Sequence, residues 1–355
     1  MGILSAVPSG LVLDAFFNWN PVHFGGFLSW VFALAIVLIL VAYGGMFSEH
    51  SGIINLALEG TMIIGALSVS LIAKSVNGAV QAGFPSQLMM FFIMIITGLI
   101  GSAFTMLLSF AAIKLKADQT IAGTALNIIA PALFLVIISA VSGSDREWLD
   151  GVPTWISVDK SIFGITETNF WTALAFSQLG NMGVCFALVL IPFSWFLISK
   201  TRFGLRLRSC GEHPEASESL GINVVAYRYA GTAISGFLAA LGGATYILIQ
   251  RSITVFSTVG GLGFLALAIM IFGAWKPGRI VWSALFFSFF KTLSFYTATL
   301  KVDIPGLAPM FEFEGTSYIL VAIPYILTII VLIFSSKNSK APKAEGVPFD
   351  IGKRS

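Results

Sequence analysis

About 20 consecutive apolar residues suffice to cross a bilayer as a helix. This chain has nine such segments, near residues 26–46, 53–73, 88–112, 121–141, 179–199, 226–249, 261–275, 280–300 and 317–335. Nothing else in the sequence limits the fold so severely. In hydrocarbon every backbone N–H and C=O must be paired within the protein, and a helix pairs them within itself. The expected fold class is therefore all-α, a polytopic membrane protein of about nine transmembrane helices. Composition agrees: 57% of the 355 residues are hydrophobic and 10% are charged, against about 25% charged in soluble domains. The seventh segment is short, and residues 250–260 before it read as a re-entrant or broken approach, tolerated only against protein or a water-filled cavity. Residues 3–17, interrupted by Pro8, Gly10 and Asp14, read as an interfacial stretch. The amino terminus lacks the basic region of a signal peptide, since no Lys or Arg precedes Lys74.

The 20 basic residues set an orientation. Most fall in the loops at 113–120, 200–228 and 276–279 and in the tail from 337, which are expected to be cytoplasmic. Lys74, Arg146, Lys160, Arg251 and Lys301 then lie outside, Lys291 falls within a span, and the amino terminus is outside. The expected organisation is a membrane domain over 1–336 and a basic cytoplasmic tail over 337–355. A net charge of +3 gives no case for nucleic acid. Cys185 and Cys210 belong at different depths, and His23, His50 and His213 are scattered. Neither a disulfide nor a metal site is expected.

Two stretches match each other weakly. Residues 55–66 read NLALEGTMIIGA and residues 264–274 read FLALAIMIFGA. The first would enter from the cytoplasm and the second from outside, as in an inverted repeat, whose substrate path lies at the repeat interface. Chance agreement between Leu/Ala/Gly-rich helices is the alternative. Small residues recur every four positions at Gly231, Ser235, Ala239 and Gly243, and at Gly101, Thr105 and Ser109. That spacing lets helix backbones approach closely in lipid.

Polar groups inside spans are costly and point to function. Asn55 and Glu59, four apart, are expected on one helix face. Asn127 follows Asp118, Gln119 and Thr120 at the start of the fourth span, where Asp118 fits an ordinary helix start. Lys291 lies near the centre of the eighth span, far enough from either interface to need a buried partner. Phe264, at the second copy of the repeat, is the one aromatic singled out for the path. Of the polar stretches, 200–225 is the longest between two apolar segments. Its 214–221 core reads as a short helix, with Pro214 at the first turn and Gly221 at the stop.

No G-x-x-x-x-G-K-[ST], H-E-x-x-H or G-x-S-x-G pattern occurs. The blocks SGIINLALEGTMIIGA, LKADQTIAGTALN, TRFGLRLRSCGEHPEASESLGI, SGFLAALGGA, GFLALAIMIFGAWKPG and IPYILTIIVL follow in order from about residue 37 to 335. Together they resemble the permease subunits of bacterial ATP-binding-cassette importers of the branched-chain amino acid, ribose and nucleoside type. The NLALEG block is more similar to the nucleoside branch than to the ribose branch, where Asp-Leu-Ser is usual. The resemblance implies a multi-pass protein of the bacterial cytoplasmic membrane with no catalytic site and no cofactor of its own. ATP would be bound by a tandem-cassette ATPase subunit. It also implies a second permease, expected to be a paralogue, and an extracytoplasmic substrate-binding lipoprotein, for which the Trp-rich 142–178 segment is a candidate receiver.

Asn55, Glu59, Asn127, Phe264 and Lys291 would then belong to the substrate path. Gly211, Glu212, Glu215, Ala216, Glu218, Gly221 and Ile222 would belong to a coupling helix that enters the ATPase. Ser217 stands where the family often has a second Ala, and Lys291 belongs to no family block. The leading reading is the permease of a nucleoside importer; the alternatives are a permease for simple sugars or branched-chain amino acids and, behind it, a gradient-driven secondary transporter.

Overall fold

The computed structural model describes residues 21–81, 85–142, 169–250, 258–300 and 341–349, with isolated positions 322, 326 and 329. Among them the chain forms eleven helices and no strand. These are α1 Pro21–His50, α2 Leu58–Gln81, α3 Ser86–Ile113, α4 Gln119–Ser142, α5 Phe170–Phe176, α6 Met182–Lys200, α7 Arg202–Glu212, α8 Pro214–Ser219, α9 Val224–Gln250, α10 Leu262–Phe272 and α11 Pro277–Leu300. Six of them (α1–α4, α6 and α9) are long and apolar enough to cross a membrane. The protein is thus a polytopic membrane protein. The short seventh segment is α10, with 11 residues, and the eighth falls in α11. The ninth segment apart from those three positions, the interfacial stretch at 3–17, residues 251–257, most of the Trp-rich segment and residues 337–340 and 350–355 of the tail lie outside the described residues.

Helices α1 and α9 form the centre. α9 packs on α1, α2 and α3, and its small residues explain why. A Cβ on Gly101 of α3 would come within 2.6 Å of the Gly236 carbonyl, and one on Gly243 would strike the backbone of Met62. Thr105 lies against Gly236, and the Ser109 and Thr232 hydroxyls share a hydrogen bond. Ser102 Oγ donates to the Ala233 carbonyl at 2.7 Å. Both small-residue stripes read from the sequence are therefore used for backbone-to-backbone contact. The outward faces of α3, α4 and α6 carry exposed Leu99, Leu107, Ile128, Val136, Val189 and Phe196, as suits lipid or another apolar subunit.

The second apolar segment departs from a continuous helix. α1 stops at His50, the chain turns at Ser51 and Gly52, and residues 53–56 have no helical structure before α2 begins at Leu58. Asn55 and Glu59 therefore do not share a helix face. α10 starts at Leu262 behind Gly260 and Gly261, both with positive φ.

The two matched stretches sit out of step with these starts. Leu56-Ala57 precedes α2, whereas Leu265-Ala266 lies inside α10; Gly65 is within α2, whereas Gly273 ends α10. The letters that match do not mark equivalent places in the two elements.

Candidate functional site

The first turns of α2 and α10 meet. A Cβ on Gly263 would lie 2.5 Å from the Glu59 Cα and closer still to its amide nitrogen, so only glycine permits the approach. The Glu59 side chain bridges the two helix starts. Its Oε1 accepts from the Gly261 N–H at 2.9 Å and its Oε2 from the Gly263 N–H at 2.6 Å. Both oxygens act as acceptors, as an ionised carboxylate's do. Helix N-termini present unpaired N–H groups and about half a positive charge. Two such ends facing each other would repel, and the carboxylate between them removes that repulsion while pairing the donors of α10.

Depth follows from length. The far end of α10 leads into Trp275, whose indole Nε1 donates to Glu49 Oε2 and whose carbonyl lies 3.3 Å from His50 Nε2. Eleven residues of helix span about 16 Å, roughly half of a ~30 Å hydrocarbon core. Glu59 accordingly sits about half a membrane away from the end of α1.

The non-helical stretch below Glu59 is held by side chains from α1, α4 and α9. Ser48 Oγ donates to the Ile53 carbonyl at 2.8 Å, and the Ile54 N–H donates to Gln119 Oε1 at 2.8 Å. Asn55 Oδ1 accepts from the Ala57 N–H at 3.0 Å, while Asn55 Nδ2 donates to Ser235 Oγ at 2.7 Å. Asn127 holds both sides of the break. Its Nδ2 donates to the Leu56 carbonyl at 2.7 Å, and its Oδ1 accepts from the Gly60 N–H at 2.8 Å. Irregular backbone at membrane depth survives only with such partners.

Asn55, Glu59 and Asn127 are thus brought together around one break, in roles their spacing did not reveal. Sequence reasoning missed Ser48, read Ser235 only as a small packing residue, and named Gln119 at a helix start without giving it a role. The usable signal was Ser51-Gly52, a turn dipeptide directly before the second apolar segment. Asp118 does what an ordinary helix start requires, accepting from the Thr120 and Ile121 N–H groups at 2.8 and 3.0 Å.

Lys291 on α11 is half-buried and close enough to Glu59 for the two charges to attract. It lines a cavity of about 50 Å³ with Trp30, Tyr246, Gln250, Thr292 and Phe295. Trp30 and Phe295 face each other there at 5.5 Å between ring centroids. Phe264 is half-exposed on the first turn of α10, beside the junction.

The second cluster is the α7–α8 hairpin. Thr201 caps α7 through its hydroxyl, which accepts from the Gly204 N–H at 3.1 Å. Pro214 opens α8 at its first position. The helix ends as a Schellman turn. The Gly221 N–H donates to the Glu218 carbonyl at 2.8 Å and the Ile222 N–H to the Ser217 carbonyl at 3.0 Å. Gly221 has φ +78°, so the stop expected at this residue is built in the left-handed conformation a side chain resists.

Glu212, Glu215, Ala216 and Gly221 are exposed, and Glu218 and Ile222 half-buried. Gly211 is buried instead, and a Cβ there would strike the His50 carbonyl. Leu220, overlooked in the sequence, is 80% exposed at the tip, an apolar knob beside three carboxylates.

The chain as a whole has relatives among known proteins. Residues 27–335 match the family described as the branched-chain amino acid transport system permease component. The chain is similar to the guanosine ABC transporter permease protein NupQ of Bacillus subtilis, 38% identical over 90% of this chain and 95% of the relative. It is also similar to the nucleoside ABC transporter permease protein NupC of Lactococcus lactis, 36% identical over 88% and 92% of the two chains. NupB, a nucleoside ABC transporter permease protein from the same Lactococcus strain, is 24% identical over 86% of this chain and 81% of its own.

Proposed function

From the premise that this chain belongs to the permease-component family of branched-chain amino acid transport systems, we propose that it is the membrane-spanning permease of an ATP-driven nucleoside importer. The observation that carries the substrate class is the similarity, over nearly whole chains, to permeases named for guanosine and nucleosides. The Glu59 junction serves as the gate of the path. Asn55 and Asn127 hold its irregular backbone, and Lys291 balances its charge. Phe264 and the aromatic pair Trp30 and Phe295 offer flat surfaces beside it, suited to a planar ring.

The α8 end of the bundle faces the cytoplasm, where the basic loops concentrate. There α8 presents Glu212, Glu215, Glu218 and Leu220 to an ATPase subunit with two cassettes. The pore is completed by a second permease. That one Lactococcus strain holds NupC and NupB, both similar to this chain, favours a paralogue over a second copy. A binding lipoprotein delivers the substrate from outside.

The test is uptake by the reconstituted transporter with labelled guanosine, adenosine, ribose and leucine in parallel. Guanosine or adenosine should accumulate in an ATP-dependent way. Accumulation of ribose or leucine alone would transfer the chain to another branch, and uptake without the ATPase would refute the mechanism. Glu215→Arg and Gly221→Val should leave the permease in the membrane but lower uptake and ATPase stimulation together.

A further inference from the structure

The segment 341–349 lies against the bundle and touches four separate parts of it. The Ala344 N–H donates to the Gly211 carbonyl of α7 at 2.9 Å, and the Gly346 N–H donates to the Gly52 carbonyl in the α1–α2 break at 3.3 Å. Arg228, on the first turns of α9, is buried, yet its Nη1 donates to the Val347 carbonyl at 3.0 Å and its guanidinium lies 5.8 Å from the Phe349 ring centroid. The Glu345 carboxyl rests against that of Glu49 at the end of α1, and Glu49 in turn takes the Trp275 indole N–H from the α10–α11 turn.

Arg228 makes the arrangement consequential. Its Nε and Nη2 have no hydrogen-bond partner among the described residues. The Val347 carbonyl is therefore the acceptor this buried cation possesses there, and a buried charge stripped of its last partner is strongly destabilising. Gly211 and Gly52 are linked through the tail by two backbone hydrogen bonds within three residues of chain. Gly211 lies in the last turn of α7, directly before α8, and Gly52 opens the stretch that leads to Glu59.

We propose that residues 341–349 are a clasp: a positioning segment that fixes α7–α8 relative to the α1–α2 break, so that movement of α8 reaches the Glu59 junction. The clasp deepens the transport reading and rests on it for its purpose, though not for its structure. It makes the carboxyl-terminal segment part of the force path and not a loose extension. A merely stabilising tail would lower ATP hydrolysis and transport together when removed. A clasp would change the ratio between them.

Two variants loosen it: truncation after Lys340, and Ala344→Pro, which deletes the amide that Gly211 accepts from. The first measurement is hydrogen exchange in the permease alone, in lipid nanodiscs. Both variants should speed exchange about tenfold at α8 and at residues 53–57, with the central amides of α3 and α9 unchanged. Exchange like the parent's in both variants would overturn the clasp. The second measurement is nucleoside uptake per ATP hydrolysed by the whole transporter. This ratio should fall about fivefold while ATP hydrolysis persists, and an unchanged ratio in the truncated protein would overturn the coupling role. If the parent transporter moves no nucleoside at all, the proposed function fails, and hydrogen exchange still decides the clasp.

Discussion

Two buried glutamates ten residues apart lie in opposite electrostatic surroundings. Glu59 stands at the N-terminal ends of two helices and accepts backbone N–H groups with both oxygens. Glu49 stands at the C-terminal end of α1, where a helix disfavours negative charge, and it faces a second carboxyl, that of Glu345. Two carboxyl groups in contact share a proton, because like charges that close cannot both ionise cheaply. The same side chain therefore accepts backbone N–H groups with both oxygens in one place and faces a second carboxyl in the other. Position along a helix, not residue type, decides which.

Substitutions at Glu59 should give the largest effects. Glu59→Ala leaves the Gly261 and Gly263 N–H groups unpaired at about 1–3 kcal/mol each and returns two positive helix ends to face each other. Thermal denaturation in detergent should show a clear loss of stability, and uptake should fall below detection. If Glu59→Ala were as benign as Glu49→Gln, the contrast between the two sites would be broken. The next largest effect tests the charge partner. Glu59→Gln and Lys291→Met should each reduce uptake, and the double variant should recover part of the loss. Purely additive losses would show that the two charges do not communicate.

Glu49→Gln should cost little. An amide can donate to Glu345 and accept from Trp275, as the protonated acid does. A shift in melting temperature of no more than a few degrees is expected. The smallest effect is a pH dependence of the clasp. Burial pushes Glu345 up to about 7 from the ordinary 4.5, in surroundings that include Glu49 and His50 of α1, Arg208 of α7 and Arg228 of α9. An acid whose docked value is raised binds best when protonated. The clasp should therefore be tightest below about pH 4.5, loosen as pH rises toward about 7, and change little above that. Hydrogen exchange at α8, corrected for the intrinsic pH dependence, should follow this course, and Glu345→Gln should flatten it. A parent protein whose corrected exchange does not vary over this range would remove the proton from the account.

Most of the spans were legible because a run of apolar residues admits few structures in lipid. The α3–α9 contact was legible because small residues recur at helical spacing. The stop at Gly221 was legible because left-handed turns select glycine. The break at 51–57 was not. Ile53, Leu56 and Ala57 read as helix, and what holds them extended comes largely from Gln119 and Asn127, more than 60 residues away. A sequence window cannot contain that interaction. Glu49 was passed over because a charged residue beside His50 looks like an ordinary span end. The clasp was hidden for a related reason. Residues 341–349 have the composition of a solvated tail, and only the buried Arg228, arriving from α9, shows what they hold.

A carboxylate that belongs to one helix and caps another is an arrangement of scarcity. If α2 and α10 move apart, Glu59 can follow only one of them. A side chain that stays with α2 strips the first turn of α10 of its acceptors, and bare N–H groups then line the opening. Oxygen-rich solutes passing that point would meet donors that exist only while the way is open and vanish when it shuts. The gate would then greet its cargo in the act of opening, with no standing pocket for the solute to be trapped in.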